Sequence, residues 1–150
     1  MIFSKSFGYA LRGVLYVALE EVHQSVQLDD MAEALGVPRH FMAKIMKRLV
    51  QHGLLSSAKG RFGGFSLSDT TLQRKLIDIY EITDHPEALL QCVLSKGLCS
   101  AAHPCRLHDK IAPLRQPLQE ILYHTTIGEL LYNGNKEELL CSLTSNVKGE

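Results

Sequence analysis

The 150-residue sequence predicts a mainly α fold with one small β-hairpin: a winged helix-turn-helix domain followed by a long C-terminal dimerisation helix. Three observations predict it. Two helical patterns are separated only by Gly36-Val37-Pro38. Two short strand-like runs around a glycine-rich turn follow at once. From Asp109 an apolar stripe returns at helical spacing.

In chain order, Phe7, Ala10, Leu11, Val14, Leu15, Ala18 and Leu19 follow the i, i+3, i+4 pattern, which predicts a first helix over 6–22 capped by Ser4 or Ser6. A short second helix starts at Leu28, with Asp29 as its expected N-cap, Met31, Ala32 and Leu35 on its buried face, and Gly36 as its stop. Pro38 suits the first turn of a third helix, from about Arg39 to His52. At 100° per residue its faces separate: Phe41, Met42, Ile45, Met46 and Leu49 on one side, His40, Ala43, Lys44, Lys47, Arg48 and Gln51 on the other. LLSSA (54–58) and FSLS (65–68) read as strands around the turn KGRFGG (59–64). Residues 72–82 read as a further helix.

Net charge is zero, yet no Asp or Glu occurs from Ala34 to Ser68, and that window carries Arg39, Lys44, Lys47, Arg48, Lys59 and Arg61. A charge run alone is more often a solvated face. Here the helix-turn-helix, the basic helix face and the basic hairpin coincide, so a nucleic-acid surface is the expectation. Arg39, His40, Ala43, Lys44, Lys47 and Arg48 are the candidate contacts on the helix, Lys59 and Arg61 those on the wing.

Three of the chain's four cysteines fall in CVLSKGLCSAAHPCRLH (92–108), where Cys92, Cys99, Cys105 and His108 are candidate metal ligands. Three thiolates and an imidazole suit zinc or an iron–sulfur cluster, and the wide gaps leave both open. His103 is expected on the surface, and His23, His85 and His124 are read as structural. Cys141, in an apolar helical context, is expected to be buried. Beyond the run, Ile111, Leu114, Leu118, Ile121 and Leu122 form a stripe that a second copy could cover. Pro113 and Pro117 predict a late helix start or a bend. Thr126 and Glu129 form a capping-box pattern opening a short last helix, and SNVKGE at the end is expected to fray.

No apolar run reaches a bilayer-spanning length, and no secretory cleavage signal follows the apolar start, so a cytoplasmic protein with reduced thiols is expected. The sequence holds no G-x-S-x-G, P-loop or H-E-x-x-H pattern, so neither an enzyme nor a small-molecule substrate is expected.

The segments YALRGVLYVAL, LDDMAEALGVPRHFMAKIMKRLVQHGLLSSAKGRFGGFSL, the cysteine run and TTIGELL together resemble the Rrf2 family of bacterial transcription regulators, to about residue 131. The resemblance implies a homodimeric winged-helix protein that binds double-stranded operator DNA. In many members three cysteines hold an iron–sulfur cluster that sets DNA affinity, which tips the ligand choice here to a 2Fe–2S or 4Fe–4S cluster. Two branches share features with this chain. Ala43 replaces the glutamate of the iron–sulfur-biogenesis regulators, and Arg39, Met42, Lys44 and Ile45 are similar to the nitric-oxide-sensing branch. The spacing from Cys105 to His108 matches the biogenesis regulators, where the histidine is the fourth ligand, but the gap from Cys92 to Cys99 is one residue longer. The first acid is Glu20, so the N-terminal carboxylate ligand of the nitric-oxide branch is missing.

The expected organisation is a winged domain over 1–84, a cluster loop over 85–108, a dimerisation helix and short last helix over 109–132, and a polar tail over 133–150. The expected function is a homodimeric regulator, a repressor whose operator affinity follows a cluster sensing iron–sulfur status, redox state or nitric oxide. The alternatives are a zinc-stabilised winged-helix interaction module and a cluster-free thiol redox switch.

Overall fold

A computed structural model describes residues 3–20 and 25–145. Helix α1 (Lys5–Glu20) starts where the Ser4 hydroxyl accepts the Phe7 N–H at 3.0 Å, so Ser4 is the cap. Its expected last turn at 21–22, like His23, lies outside the described residues. Phe7, Ala10, Val14, Leu15 and Ala18 are buried as the periodicity predicts, while Leu11 and Leu19 are half-buried. A Cβ on Gly13 would lie 3.1 Å from Met46 Sδ, so the bare backbone lets the third helix press close.

Helix α2 (Leu28–Leu35) differs from expectation at its start. Gln27 is the N-cap position and makes no side-chain cap, while Asp29 lies inside the first turn. Asp29 is drawn instead to Arg39, with which it forms an ion pair. Gly36 ends the helix at φ 62°, and Val37 N–H reaches the Ala32 carbonyl at 3.0 Å, closing a Schellman turn. Helix α3 (Arg39–Gln51) follows, with Met42, Ile45, Met46 and Leu49 buried. Phe41 is not on that face. It is 49% exposed, at the stripe's edge, and its ring lies tilted against His40 with centroids 4.2 Å apart.

Strands β1 (Leu55–Ala58) and β2 (Gly64–Leu67) pair antiparallel, Leu55 opposite Leu67 and Ala58 opposite Gly64. Leu54 is not in the strand: it is buried below the hairpin, its N–H bonded to the Leu49 carbonyl at 2.9 Å. Val26 and Phe65 exchange backbone bonds of 2.9 and 2.8 Å, so the link before α2 lies against the wing as a third extended segment.

The helix expected over 72–82 splits into a 3-10 turn (Thr71–Gln73) and helix α4 (Leu76–Thr83). The cause is tertiary. Leu76 N–H bonds to the Thr125 carbonyl at 3.0 Å and Ile127 N–H to the Arg74 carbonyl at 2.9 Å, which holds Arg74 and Lys75 out of helical register. Tyr80 is fully buried and meets the edges of Phe3 and Phe7.

Helix α5 (His108–His124) runs 17 residues without a break. The expected late start does not occur. Both proline rings are exposed, so the carbonyls of Asp109 and Pro113, robbed of their i+4 donors, can turn to water. Helix α6 (Ile127–Tyr132) is capped by Thr126 Oγ1, which accepts the Glu129 N–H at 3.1 Å. Helix α7 (Lys136–Thr144) occupies the segment expected as a polar tail and buries Leu143. Both α6 and α7 pack back on α1. Cys141, expected to be buried, is exposed, because α7 turns Leu143 inward instead. Of SNVKGE, residues 146–150 lie outside the described residues. Among the described residues no helix is long and apolar enough to cross a membrane.

Candidate nucleic-acid face and cysteine loop

The buried stripe of α3 fixes which residues face outward. His40, Lys44, Lys47 and Arg48 are exposed, and Ala43 is half-buried. Arg39 is exposed but not free of acid: the Asp29 partner lies just outside the acid-free window in sequence and beside it in space. Lys59 and Arg61 are exposed at the wing tip. The turn that presents them is tight. A Cβ at Gly63 would lie 2.2 Å from the Ala58 carbonyl oxygen, so only glycine fits there.

Two hollows flank α3. One, about 300 Å³, lies between α3 and the wing and is lined by Ala43, Lys47, Gln51, Ser57 and Phe65 among others. The other, about 340 Å³, lies between α3 and the start of α1, where Lys5, Ser6 and Tyr9 meet Phe41, Lys44 and Arg48. Lys5 thus extends the basic face. Sequence reasoning missed it because only the packing of α1 on α3 brings it there.

The cysteine loop is organised differently. A 3-10 turn (Pro86–Leu89) leads into one isolated bridge, Gln91 opposite Leu98. Cys92 N–H bonds to the Gly97 carbonyl at 2.9 Å and Cys99 N–H to the Leu90 carbonyl at 2.7 Å, so both thiols hang from one small ribbon. Cys92, Cys99, Cys105 and His108 line a single crevice with Leu107, Ile111 and Arg115. Cys99 Sγ and His108 Nδ1 are 3.1 Å apart. All three thiols are free and half-buried. Hydrogen bonding lowers the Cys92 thiol from 9.0 to about 7, the Ser95 side chain contributing most, then the Leu94 and Ser95 backbone and Cys105.

Arg115, from the second turn of α5, anchors this ribbon by donating to the Leu89 carbonyl at 2.7 Å and the Gln91 carbonyl at 2.5 Å. No spacing rule pointed to it. His103 is exposed, as expected. Among the described residues, no three His, Cys, Asp or Glu side chains stand close enough to clamp a single metal ion.

The profile of the Rrf2 family, described as an iron-dependent transcriptional regulator, matches residues 3–133. The chain belongs to the Rrf2 family. It is therefore a DNA-binding transcriptional regulator and not an enzyme. A curated relative from Aquifex aeolicus, described as an HTH-type transcriptional regulator, is 35% identical over 87% of this chain and 92% of its own length. The HTH-type transcriptional regulator IscR of Klebsiella pneumoniae is 29% identical over 88% of this chain and 78% of its own. Two solved structures share this chain's fold. CymR, the global cysteine regulator of B. subtilis, superposes with a TM-score of 0.71 at 20% identity, covering 89% of this chain and 98% of that one. T. potens IscR gives 0.66 at 19% identity, covering 91% and 90%.

Proposed function

We propose that this Rrf2 regulator is a cytoplasmic, homodimeric repressor whose operator affinity is set by an iron–sulfur cluster on Cys92, Cys99, Cys105 and His108. The observation that carries this reading is the meeting of those four side chains around one crevice at the start of α5. The donor set fits the group: three soft thiolates and one imidazole match cluster ligation. A cluster spreads its irons over a larger frame than one ion, so its ligands need not converge on one point, as here they do not.

On DNA, α3 lies in a major groove with His40, Ala43 and Lys44 toward base edges. Lys47, Arg48, Lys59 and Arg61 contact phosphates or the neighbouring groove. Arg39 is steered by its Asp29 partner. A two-fold dimer through the α5 stripe then reads a pseudo-palindromic operator. When bound, an iron–sulfur cluster supplies a brace that oxidation, nitrosylation or loss can release. The chain's own part is mechanical. The 90–99 ribbon holds two thiols, Arg115 ties that ribbon to α5, and α5 carries the dimer stripe. Slackening the loop therefore shifts how the winged domains sit about the dimer axis.

One observation favours a second reading, a thiol redox switch: Cys92 is lowered to about 7, in the company of Cys105. Cys92→Ser and Cys105→Ser proteins test both. Under the cluster reading each loses iron and sulfide and shifts in operator affinity under strictly reducing, anaerobic conditions. Under the thiol reading each matches the reduced wild type there and fails to respond to oxidant. If either variant binds the operator as the cluster-loaded wild type does, cluster sensing is wrong.

A further inference from the structure

The wing tip carries a side chain that phosphate contact does not explain. Phe62 is 85% exposed, more than any other large apolar side chain among the described residues. A single surface phenylalanine is ordinary in itself. This one stands beside cations at the tip of a DNA-binding hairpin. Lys59 and Arg61 precede it, and the Arg61 guanidinium lies 5.8 Å from its ring centroid.

The base beneath it is firm. Gly63 N–H donates to the Gly60 carbonyl at 3.0 Å, Gln27 Nε2 donates to the Gly63 carbonyl, and Val26 is bridged to Phe65. The ring is therefore presented on a pinned turn. On the α1 side, Glu20 and Asp30 line the hollow that Arg61 and Phe62 border. Those acids repel a phosphate on that side, so the tip enters a groove by its outer edge. There the ring meets base edges while the cations meet the flanking phosphates. Apolar side chains on minor-groove binders slip between base pairs and kink the duplex, trading stacking for a bent, better-wrapped site.

We propose that Phe62 is an apolar wedge that inserts into the minor groove beneath the wing and partly unstacks one base step, bending the DNA. The proposal rests on DNA binding and not on the cluster. The probe is a duplex selected by the wild-type protein from a randomised pool, labelled with a dye at each end and with 2-aminopurine at the steps under the wing. Wild type shortens the end-to-end distance and brightens one 2-aminopurine step. Phe62→Ala lowers affinity about tenfold and abolishes both signals, while its melting temperature stays that of wild type. Phe62→Leu, still apolar, keeps most of the bend. Arg61→Ala weakens binding and flattens its salt dependence, yet keeps the bend. A straight duplex under wild type, or a Phe62→Ala protein that bends it as wild type does, overturns the wedge and leaves DNA binding standing. Failure to select any duplex contradicts both.

Discussion

Helix α3 and the cysteine loop are built on opposite plans. Behind the exposed face of α3, Met42, Met46 and Leu49 are fully buried, and the wing is pinned at its base by Val26. The loop between α4 and α5 has one 3-10 turn, one bridge and the Arg115 anchor. There Val93, Leu94 and Leu98 are each more than half exposed. In α5 only Leu122 is buried, while Leu114 and Ile121 are 65% and 54% exposed. The exposed face of α3 is thus backed by a core finished within one chain. The loop and α5 leave apolar side chains open to solvent, and sparsely packed regions are the ones that open first.

The sharpest way to break that contrast is to attack the core under α3. Leu49→Ala should cost about 2–5 kcal/mol in urea unfolding and abolish DNA binding at 37 °C. An unchanged midpoint would mean the face does not depend on that core. Next comes the exposed stripe. Ile121→Glu should convert dimer to monomer in sedimentation and weaken operator binding by roughly a hundredfold, without lowering the melting temperature of the winged core. A variant that stays dimeric would place the two-fold contact elsewhere.

Smaller effects separate the two regions further. In reduced, metal-free protein, Cys92 alkylation should rise with a midpoint near pH 7, because a lowered pKa populates the thiolate above that pH and not above 9.0. The hydrogen bonds to the thiolate are then present at higher pH and lost as pH falls through about 7. Ser95→Ala should move the midpoint up toward 9.0, since the Ser95 side chain is the largest cause of the lowering. A midpoint that stays near 7 would assign it elsewhere. Lys47→Ala should weaken binding to all sequences alike and reduce the salt slope by about one. An unchanged slope would remove Lys47 from the phosphate contacts.

Much of the winged half was legible because its signals are local. Gly36 and Pro38 punctuate the two helices, the α3 periodicity separates its faces, and the glycines of 60–64 mark the turn. What escaped is long-range. The break at Arg74–Lys75 lies where residues 125–127 pair with the chain. Arg39 found an acid that proximity in sequence hid. Phe41, placed by pattern on the apolar side of its helix, and Cys141, expected to be buried, are both exposed, because a periodic pattern does not say which edge of a stripe the neighbouring elements cover. At the cysteine loop, residue type and spacing named donors that share a crevice. The same spacing carried no trace of Arg115, because an anchor reaching two carbonyls leaves no motif.

Control of operator binding by a cluster can be measured by purifying the wild-type protein without oxygen, recording its absorbance, assaying iron, acid-labile sulfide and zinc, and measuring operator affinity before and after metal removal. Cluster control predicts a coloured protein with iron and sulfide in equal amounts, no zinc, and an affinity that changes when they are removed. Zinc alone, or a colourless metal-free protein whose affinity follows thiol oxidation, would contradict it.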